Sequence, residues 1–406
     1  KHHTPQTFVG DDAYENADPA IFLQRQAFMT KELAETIRRT SRDSAAGVLH
    51  FAYFTWLKKV WDVNGMNPLP PYDAIQVALQ PVLVSAELFG RHFYFGRELR
   101  RRVCIINDAE SFQALPASKL RWEFRSGNKT LSHGEMEVPP VNYYENRWLD
   151  VDFSTPKNLP TPRVDGQLVL KLEAGGKVFS ENNYDVVIAT DAWTKGHESQ
   201  SGRTLLLSST DSSEKILSAV KMTTIASFEA AKSNDVVIIG DAKKIAASSS
   251  EIEKLKSFVS EGGRVLLLNP QSALTHIFPE QITNYAPRKG EIVTMRVPES
   301  PVFAGIAPLD LAWFERGGRQ VPLACTGVYQ FTTTSNITAL AQQIEPHAYL
   351  QNSTEITKYS GSPLMEISMG KGRLIASEMN FESGKNDPIA QRLLQNIIHY
   401  LNAVPF

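Results

Sequence analysis

Residues 18–62, DPAIFLQRQAFMTKELAETIRRTSRDSAAGVLHFAYFTWLKKVWD, constrain the fold of this chain more than any other stretch. Asp18 reads as a helix N-cap and Pro19 as the first helical residue, where its missing N–H costs nothing. Ile21, Phe22, Phe28, Leu33, Ala34 and Ile37 recur at helical spacing and predict one apolar face for burial. The Ser-Ala-Ala-Gly run at 44–47 breaks the helix. Residues 48–54, VLHFAYF, are almost continuously apolar, which predicts a strand buried on both faces, as in a parallel sheet. One helix and one strand cannot close a core. Such a strand needs a neighbour on each edge, because its buried amides must all be paired. This pair therefore reads as the end of a (β/α) barrel, spanning residues 1–81. Before it, KHHTPQTFVGDDAYEN has no period and reads as loop.

The period then changes. Seven short runs alternate in polarity: LVSAELF, RRVCIIN, LRWEFRS, TLSHGEMEV, RWLDVDF, GQLVLKLEA and NYDVVIA. Turn-forming stretches such as SGNK, STPKNLPTP and AGG separate them. This pattern predicts an immunoglobulin-like β-sandwich over residues 82–195. Tyr143, Tyr144 and Trp148 read as its core or rim, with a sugar platform as the alternative. From residue 196 to 406 strands and helices alternate: TLLLSS, a helix capped by Ser212 or Ser213, DVVIIG, the capped helix SSSEIEKLKSFVSEGG, then RVLLLN. A hairpin forms around Gly370-Lys371-Gly372, and a last helix opens with Asp387-Pro388. Alternation of this kind predicts a doubly wound α/β domain with a parallel sheet. The fold class is thus multidomain, α/β plus all-β.

Lys and Arg number 42 against 44 Asp and Glu, so the charge balance gives no footprint for nucleic acid or an anionic membrane. No apolar stretch reaches the ~18 residues of a spanning helix. The two cysteines, Cys104 and Cys325, sit in apolar runs and read as buried thiols, with a disulfide or a nucleophile as alternatives. No Cys/His spacing fits zinc, and neither a P-loop, a Gly-x-Gly-x-x-Gly nor a Gly-x-Ser-x-Gly elbow occurs. No cofactor is expected. Gly240-Asp241 follows the strand DVVIIG at a place where such sheets bind ligands.

Residues 47–89, GVLHFAYFTWLKKVWD…PYDAIQVALQPVLVSAELF, resemble family-two glycoside hydrolases, the β-galactosidase and β-glucuronidase group. In that group the last barrel strand ends in aromatics and leads straight into a β-sandwich. The order of a strand at 103–106, the pair Asn107-Asp108, and Leu-x-Trp at 120–122 fits the same resemblance, which covers roughly residues 15–190. It implies a retaining exo-β-glycosidase with two carboxylates about 5 Å apart. Neither catalytic segment can be placed in this sequence. Glu15, in the loop before the helix, is the one candidate nucleophile. At the mouth of the barrel the resemblance implies that His50, Tyr53, Thr55 and Trp56 face the sugar, with Trp56 stacking on its ring.

Residues 203–406 resemble the class I glutamine-amidotransferase-like or ThuA-like fold through DVVIIGDA, EGGRVLLLNP and GKGRLIASEMNF. A working amidotransferase needs a Cys on a sharp strand-to-helix elbow with a His downstream. Cys325 lies in ACTGVYQF, which runs on into strand-like residues, and His347 follows a proline. The expected function is therefore the C-terminal portion of a glycoside hydrolase, one wall of the sugar site plus accessory domains, without the catalytic pair. The alternative is a self-standing carbohydrate-binding or interaction module. The expected partners are a carbohydrate and either the N-terminal barrel region or a second protomer.

Overall fold

Two compact units make up the structure, one over Asp18–Thr190 and one over Asp191–Phe406. The computed structural model describes residues 19–44, 48, 57–59, 61, 62, 64–195, 202–317, 320–332, 336–343 and 361–403. The fold is mixed α and β with several sheets, two of which combine parallel and antiparallel strands. The expected strand at 48–54 lies outside the described residues except for Val48.

The first unit begins with the long helix α1 (Pro19–Ser44), followed by the short pair β1 (Leu57–Lys58) and β2 (Asn67–Pro68) and by helix α2 (Pro70–Ala78). Eight strands follow: β3 (Val82–Ala86), β4 (His92–Tyr94), β5 (Glu98–Asn107), β6 (Ser118–Ser126), β7 (Lys129–Val138), β8 (Asn146–Ser154), β9 (Arg163–Ala174) and β10 (Lys177–Ala189). The seven predicted runs are all strands; only the three-residue β4 is new. They form a five-stranded sheet, β4-β10-β9-β6-β7, and a three-stranded sheet, β3-β5-β8. Alternate residues of both sheets meet in one core. Val84, Ile105 and Phe153 come from the smaller sheet, and Trp122, Phe124, Leu170, Tyr184 and Ile188 from the larger. The period of two along each strand puts these side chains on a single face.

Among the described residues no strand pairs by its backbone with the β10 side of β3. Side chains of β10 take over that task. Ser180 Oγ accepts from Val84 N at 3.0 Å, Tyr184 Oη accepts from Ala86 N at 2.8 Å, and Asn182 Nδ2 donates to Val84 O at 2.8 Å. Glu35 of α1 seals the arrangement. Its fully buried carboxylate accepts from Ser85 Oγ (2.5 Å), Tyr184 Oη (2.8 Å) and Asn182 Nδ2 (3.0 Å), and it pairs with Lys31 at 2.8 Å and Arg39 at 3.6 Å. Arg39 donates to Ser85 Oγ and Ala86 O, and Arg38 to Ala78 O, Gln80 O and Asp108.

The helix therefore docks through a charged face, which corrects the expectation of an apolar one. Among the described side chains of the helix, Ala34 is the one fully buried apolar residue, packed with Ile75 and Ala78 of α2, while Ile21, Phe28 and Ile37 are half-buried. Met29 and Leu33 remain 43% and 63% exposed. Phe28 shares the face of Glu32, Glu35 and Arg39, with Arg91 over its ring at 4.9 Å, and the long polar side chains of that face reach the sheet edge, where backbone groups needed partners.

The second unit opens with α3 (Asp191–Lys195), then β11 (Thr204–Ser208), α4 (Asp211–Leu217), β12 (Thr223–Thr224), β13 (Val236–Ile239), α5 (Ala242–Ala246), α6 (Ser249–Ser260), β14 (Arg264–Leu268) and α7 (Ala273–Ile277). It continues with β15 (Ile282–Ala286), β16 (Thr294–Met295), β17 (Val328–Phe331), β18 (Ile337–Gln343), β19 (Gly361–Met369), β20 (Gly372–Ser377) and α8 (Pro388–Asn402). Five strands run parallel in the order β12-β11-β13-β14-β20. Counted along the chain this is 2-1-3-4-5. The expected parallel sheet is thus present, but it is extended by antiparallel β19, which carries β17-β15 and β18-β16 beyond it. The predicted hairpin at residues 370–372 is the β19–β20 turn, with Gly370 at φ +56°. Both residue parities of the central strands are buried, as a sheet covered on both faces requires. Thr210, rather than Ser212 or Ser213, caps α4, because the hydroxyl of Thr210 and the backbone of Ser213 close a reciprocal box.

Burial pushes the Glu35 carboxyl up, yet the charges and hydrogen bonds of Lys31, Ser85 and Arg39 outweigh it and hold it down to about 2, from an ordinary 4.5. A depressed carboxyl stabilises the fold above its unfolded value and loses that contribution as pH falls through the folded one. We expect acid unfolding of the first unit to set in between pH 4.5 and about 2. Glu35→Gln should cost about 3–5 kcal/mol at neutral pH, because it leaves Lys31 and Arg39 without their buried counter-charge. Denaturant unfolding at neutral pH checks this, and a loss below about 1 kcal/mol would contradict it.

Candidate ligand cleft

The strand order 2-1-3-4-5 reverses direction between β11 and β13. Loops leaving the carboxyl ends of such neighbouring strands diverge and leave a crevice. Here it is a cleft of about 140 Å³ lined by Thr210, Ser212, Ser213, residues 240–243 and residues 268–271. Three loops supply these groups, one after each of β11, β13 and β14.

The first two loops are held together tightly. Gly240 N donates to Ser208 O at 2.8 Å, and Ser208 Oγ donates to Asp241 O at 3.3 Å. A Cβ on Gly240 would lie within 2.5 Å of Ser213 Cβ, so only glycine allows β13 to end this close to the cap of α4. Thr210 and Ser213 spend their hydroxyls on the cap itself. Ser212 donates to Glu382. Asp241 pairs loosely with Lys244, at 3.5 Å.

The third loop is a strand-to-helix elbow. Asn269 and Gln271, on either side of Pro270, have φ of +47° and +53°. Left-handed backbone at a non-glycine residue costs of order 1 kcal/mol, so the surroundings must hold it. Asn269 N donates to Ser377 O at 2.8 Å. Gln271 N donates to Glu378 Oε1 at 2.7 Å, and Tyr329 Oη lies 2.6 Å from the same oxygen and 3.0 Å from Gln271 O. Thr326 Oγ1 reaches Glu378 Oε2 at 3.3 Å. Glu378 is fully buried at the end of β20, directly beneath the elbow. Burial pushes its carboxyl above the ordinary 4.5, and none of the groups bonding it carries a positive charge to offset that.

The side chains of Lys243, Asn269 and Gln271 have no hydrogen-bond or ion-pair partner among the described residues, and all three line the cleft. Together with Asp241 they offer an ammonium, two carboxamides and a carboxylate. This set can hold a small polar molecule by hydrogen bonds. The elbow position, where nucleophilic enzymes of this general architecture place a thiol or hydroxyl, carries Asn269 and Gln271. No imidazole is among the lining residues to take a proton from Ser212 or Ser213. Cys325 is buried and unpaired, one residue before Thr326. Burial pushes its thiol up to about 12, so it is protonated and a poor nucleophile at neutral pH. Among the described residues no group of three His, Cys, Asp or Glu side chains could hold a metal ion.

The sequence pointed to Gly240-Asp241 but not to Asn269, Gln271 or Glu378. The Asn-Pro dipeptide after RVLLL was the available signal for the elbow. Glu378 gave none. The sugar-facing candidates His50, Tyr53, Thr55 and Trp56, the candidate nucleophile Glu15, and His347 all lie outside the described residues.

No protein-family model and no curated protein matches the chain. Among solved structures it shows distant similarity to the exo-chitosanase CsxA of Amycolatopsis orientalis, at 14% identity and a TM-score of 0.30 over 40% of this chain. That match spans only 18% of the exo-chitosanase. It also shows distant similarity to a ThuA-like protein of Bacteroides uniformis, at 11% identity and a TM-score of 0.34, covering 50% of this chain and 93% of that one.

Two expectations follow from the elbow. A carboxyl raised on folding favours the fold most below its unfolded value, and that contribution fades as pH rises through the folded one. Measured against Glu378→Gln, the natural chain should therefore lose relative stability as pH rises from 4.5. A stability difference that stays flat from there to alkaline pH would refute the buried, cation-free setting of Glu378. Cys325 should react slowly with a thiol reagent in the native chain and rapidly in denaturant; fast native labelling would contradict its burial.

Proposed function

We propose that the chain is the non-catalytic C-terminal portion of a retaining exo-β-glycosidase. In this reading α1 is a helix of the parent's catalytic (β/α) barrel, the two-sheet unit is its immunoglobulin-like sandwich, and the α/β unit is an amidotransferase-like accessory domain. The catalytic carboxylate pair belongs to the rest of the parent. Trp56, Tyr53, Thr55 and His50 form one wall of the sugar subsite, with Trp56 stacking on the ring.

The observation that carries the reading is that α1 has two working sides. Its charged side is spent on its own unit through Glu35, Arg38 and Arg39. Its other side leaves Met29 and Leu33 open. Exposed apolar residues on a helix so firmly fixed are what remains when a second body is expected there. The α/β unit fits an accessory role because its elbow carries carboxamides in place of a nucleophile. The second reading, a self-standing carbohydrate-binding or interaction module, is favoured by the complete charge pairing of Glu35 within its own unit.

Two measurements test this. The chain alone should not hydrolyse aryl β-glycosides. Turnover that survives purification and vanishes in Glu15→Gln would overturn the proposal and make Glu15 the nucleophile. Leu33→Glu should shift the stability of the chain alone by no more than about 0.5 kcal/mol, as for an open surface site. A loss of several times that would mean the face is already covered within the chain.

A further inference from the structure

At one end of the two-sheet unit, three aromatic rings stand together in the open. Phe112, Tyr143 and Tyr144 are 68%, 38% and 55% exposed. Phe112 meets Tyr143 edge-on, with centroids 5.1 Å apart and planes at 71°. Tyr143 and Tyr144 are 6.1 Å apart and tilted by 42°. We propose that this trio is a glycan-binding platform that takes a pyranose ring of a neutral polysaccharide.

The chain goes out of its way to present these rings. Phe112 and Tyr144 both have left-handed backbone, at φ +59° and +62°, which is costly for bulky residues. One residue holds both loops in place. The fully buried Asn107, at the end of β5, donates from its side chain to Gln113 O (3.0 Å) and Val141 O (3.1 Å), accepts from Ala109 N (3.2 Å), and takes the Tyr144 N–H on its own carbonyl at 2.7 Å. Leu115 and Val141 exchange a further pair of backbone bonds across the same two loops. The backbone that carries the rings is thus fixed before any ligand arrives, which reduces the entropy lost on binding.

The chemistry of the patch favours a sugar over a protein. Its exposed large apolar side chains are aromatic only; the exposed aliphatic ones among the described residues, such as Leu33, Leu79 and Val178, belong to other segments. A protein contact of ordinary size needs about 800 Å² of surface per partner, with a packed apolar centre. Three mutually tilted rings make no such flat centre. They do offer π faces to the C–H face of a pyranose. Around them in sequence stand exposed Glu110, Gln113 and Asn142, with half-buried Glu145 and Arg147, which are hydrogen-bonding partners for ring hydroxyls. Arg147 is paired with Glu145 at 2.6 Å, which leaves Glu110 as the unmatched charge of the set, so a neutral glycan fits better than a polyanion. The site is independent of the glycosidase reading, since it needs neither a barrel nor catalysis.

The test is native affinity electrophoresis of the whole chain in gels containing hydroxyethylcellulose, laminarin, galactomannan or xyloglucan. At least one polymer should retard the chain, and Phe112→Gly or Tyr144→Gly should weaken that retardation about tenfold, the equivalent of one lost ring contact of about 1.4 kcal/mol. Both variants relieve a left-handed backbone, so their melting temperatures should be equal to or above that of the natural chain. A binding loss accompanied by a fall in melting temperature would instead indicate a structural role and overturn the proposal. So would normal mobility of the natural chain in all four gels, or retardation that survives in the Phe112→Ala, Tyr143→Ala, Tyr144→Ala triple variant. Concentration-dependent self-association abolished by the same variants would make the patch an interface between copies and likewise sink the glycan assignment.

Discussion

A buried carboxylate at the open edge of a strand is the interaction on which the first unit depends. Strand β3 offers backbone groups towards β10 that no ladder satisfies, and a buried, unpaired amide or carbonyl costs about 1–3 kcal/mol. Ser180, Asn182 and Tyr184 meet those groups with side chains, which closes the two sheets into one body around the core. Polar side chains inside a protein need partners in turn, and Glu35 supplies them for Ser85, Asn182 and Tyr184 at once. Its charge is balanced by Lys31 and Arg39, one turn away on either side in the same helix. The C-terminal half of α1 is therefore tied to the sheet edge by a charge network over Lys31–Arg39.

The second unit uses a buried glutamate in the opposite electrical state. Glu378 also lies beneath a strand end and also collects several donors, but no cation faces it in that hydrogen-bond set. Burial dominates, and the carboxyl is pushed up where that of Glu35 is held down. What Glu378 stabilises is local: the left-handed turns at Asn269 and Gln271 that send the chain from β14 into α7. That elbow projects carboxamides into the cleft at the point where the strand order reverses. Hydrogen-bonding capacity is present there, from the carboxamides of Asn269 and Gln271 and the ammonium of Lys243.

The strands of both units and the helices α6 and α8 were legible because their signals are periodic. Alternating residues in LRWEFRS dictate which face is buried whatever surrounds them, and the continuously apolar DVVIIG is buried on both faces. Three things were not legible. The docking face of α1 was misread because hydrophobic spacing says where apolar residues lie, not which side a sheet edge with unpaired amides will attract. The antiparallel extension through β19 was hidden, since a short strand looks the same in either direction. The elbow at Asn269 and Gln271 could be suspected from Asn-Pro, but its support by Glu378 depends on a residue more than 100 positions later. Contacts of that kind are set by topology, and sequence pattern carries no record of them. The residues that the sugar-site reading rests on, from His50 to Trp56, fall outside the described part of the chain and remain on the resemblance alone.

The pair Asn107-Asp108 joins the two features of the first unit that bear on function. Its two side chains work in different directions from one strand end. Asn107 ties the loops that carry Phe112, Tyr143 and Tyr144, while Asp108 pairs with Arg38 of α1 at 3.0 Å. Asn146, which opens β8 close by, donates to the carbonyls of Arg38 and Arg39 at 3.0 Å each and so fastens the end of the helix to the same corner. The aromatic platform and α1 are therefore tied to the same corner through a few short, mostly part-buried bonds. If α1 presents Met29 and Leu33 to a second body, the platform is held at a set distance and angle from that body without any contact between them. A glycan bound on the rings would then be aligned with whatever the helix carries, through Asn107, Asp108 and Asn146 together.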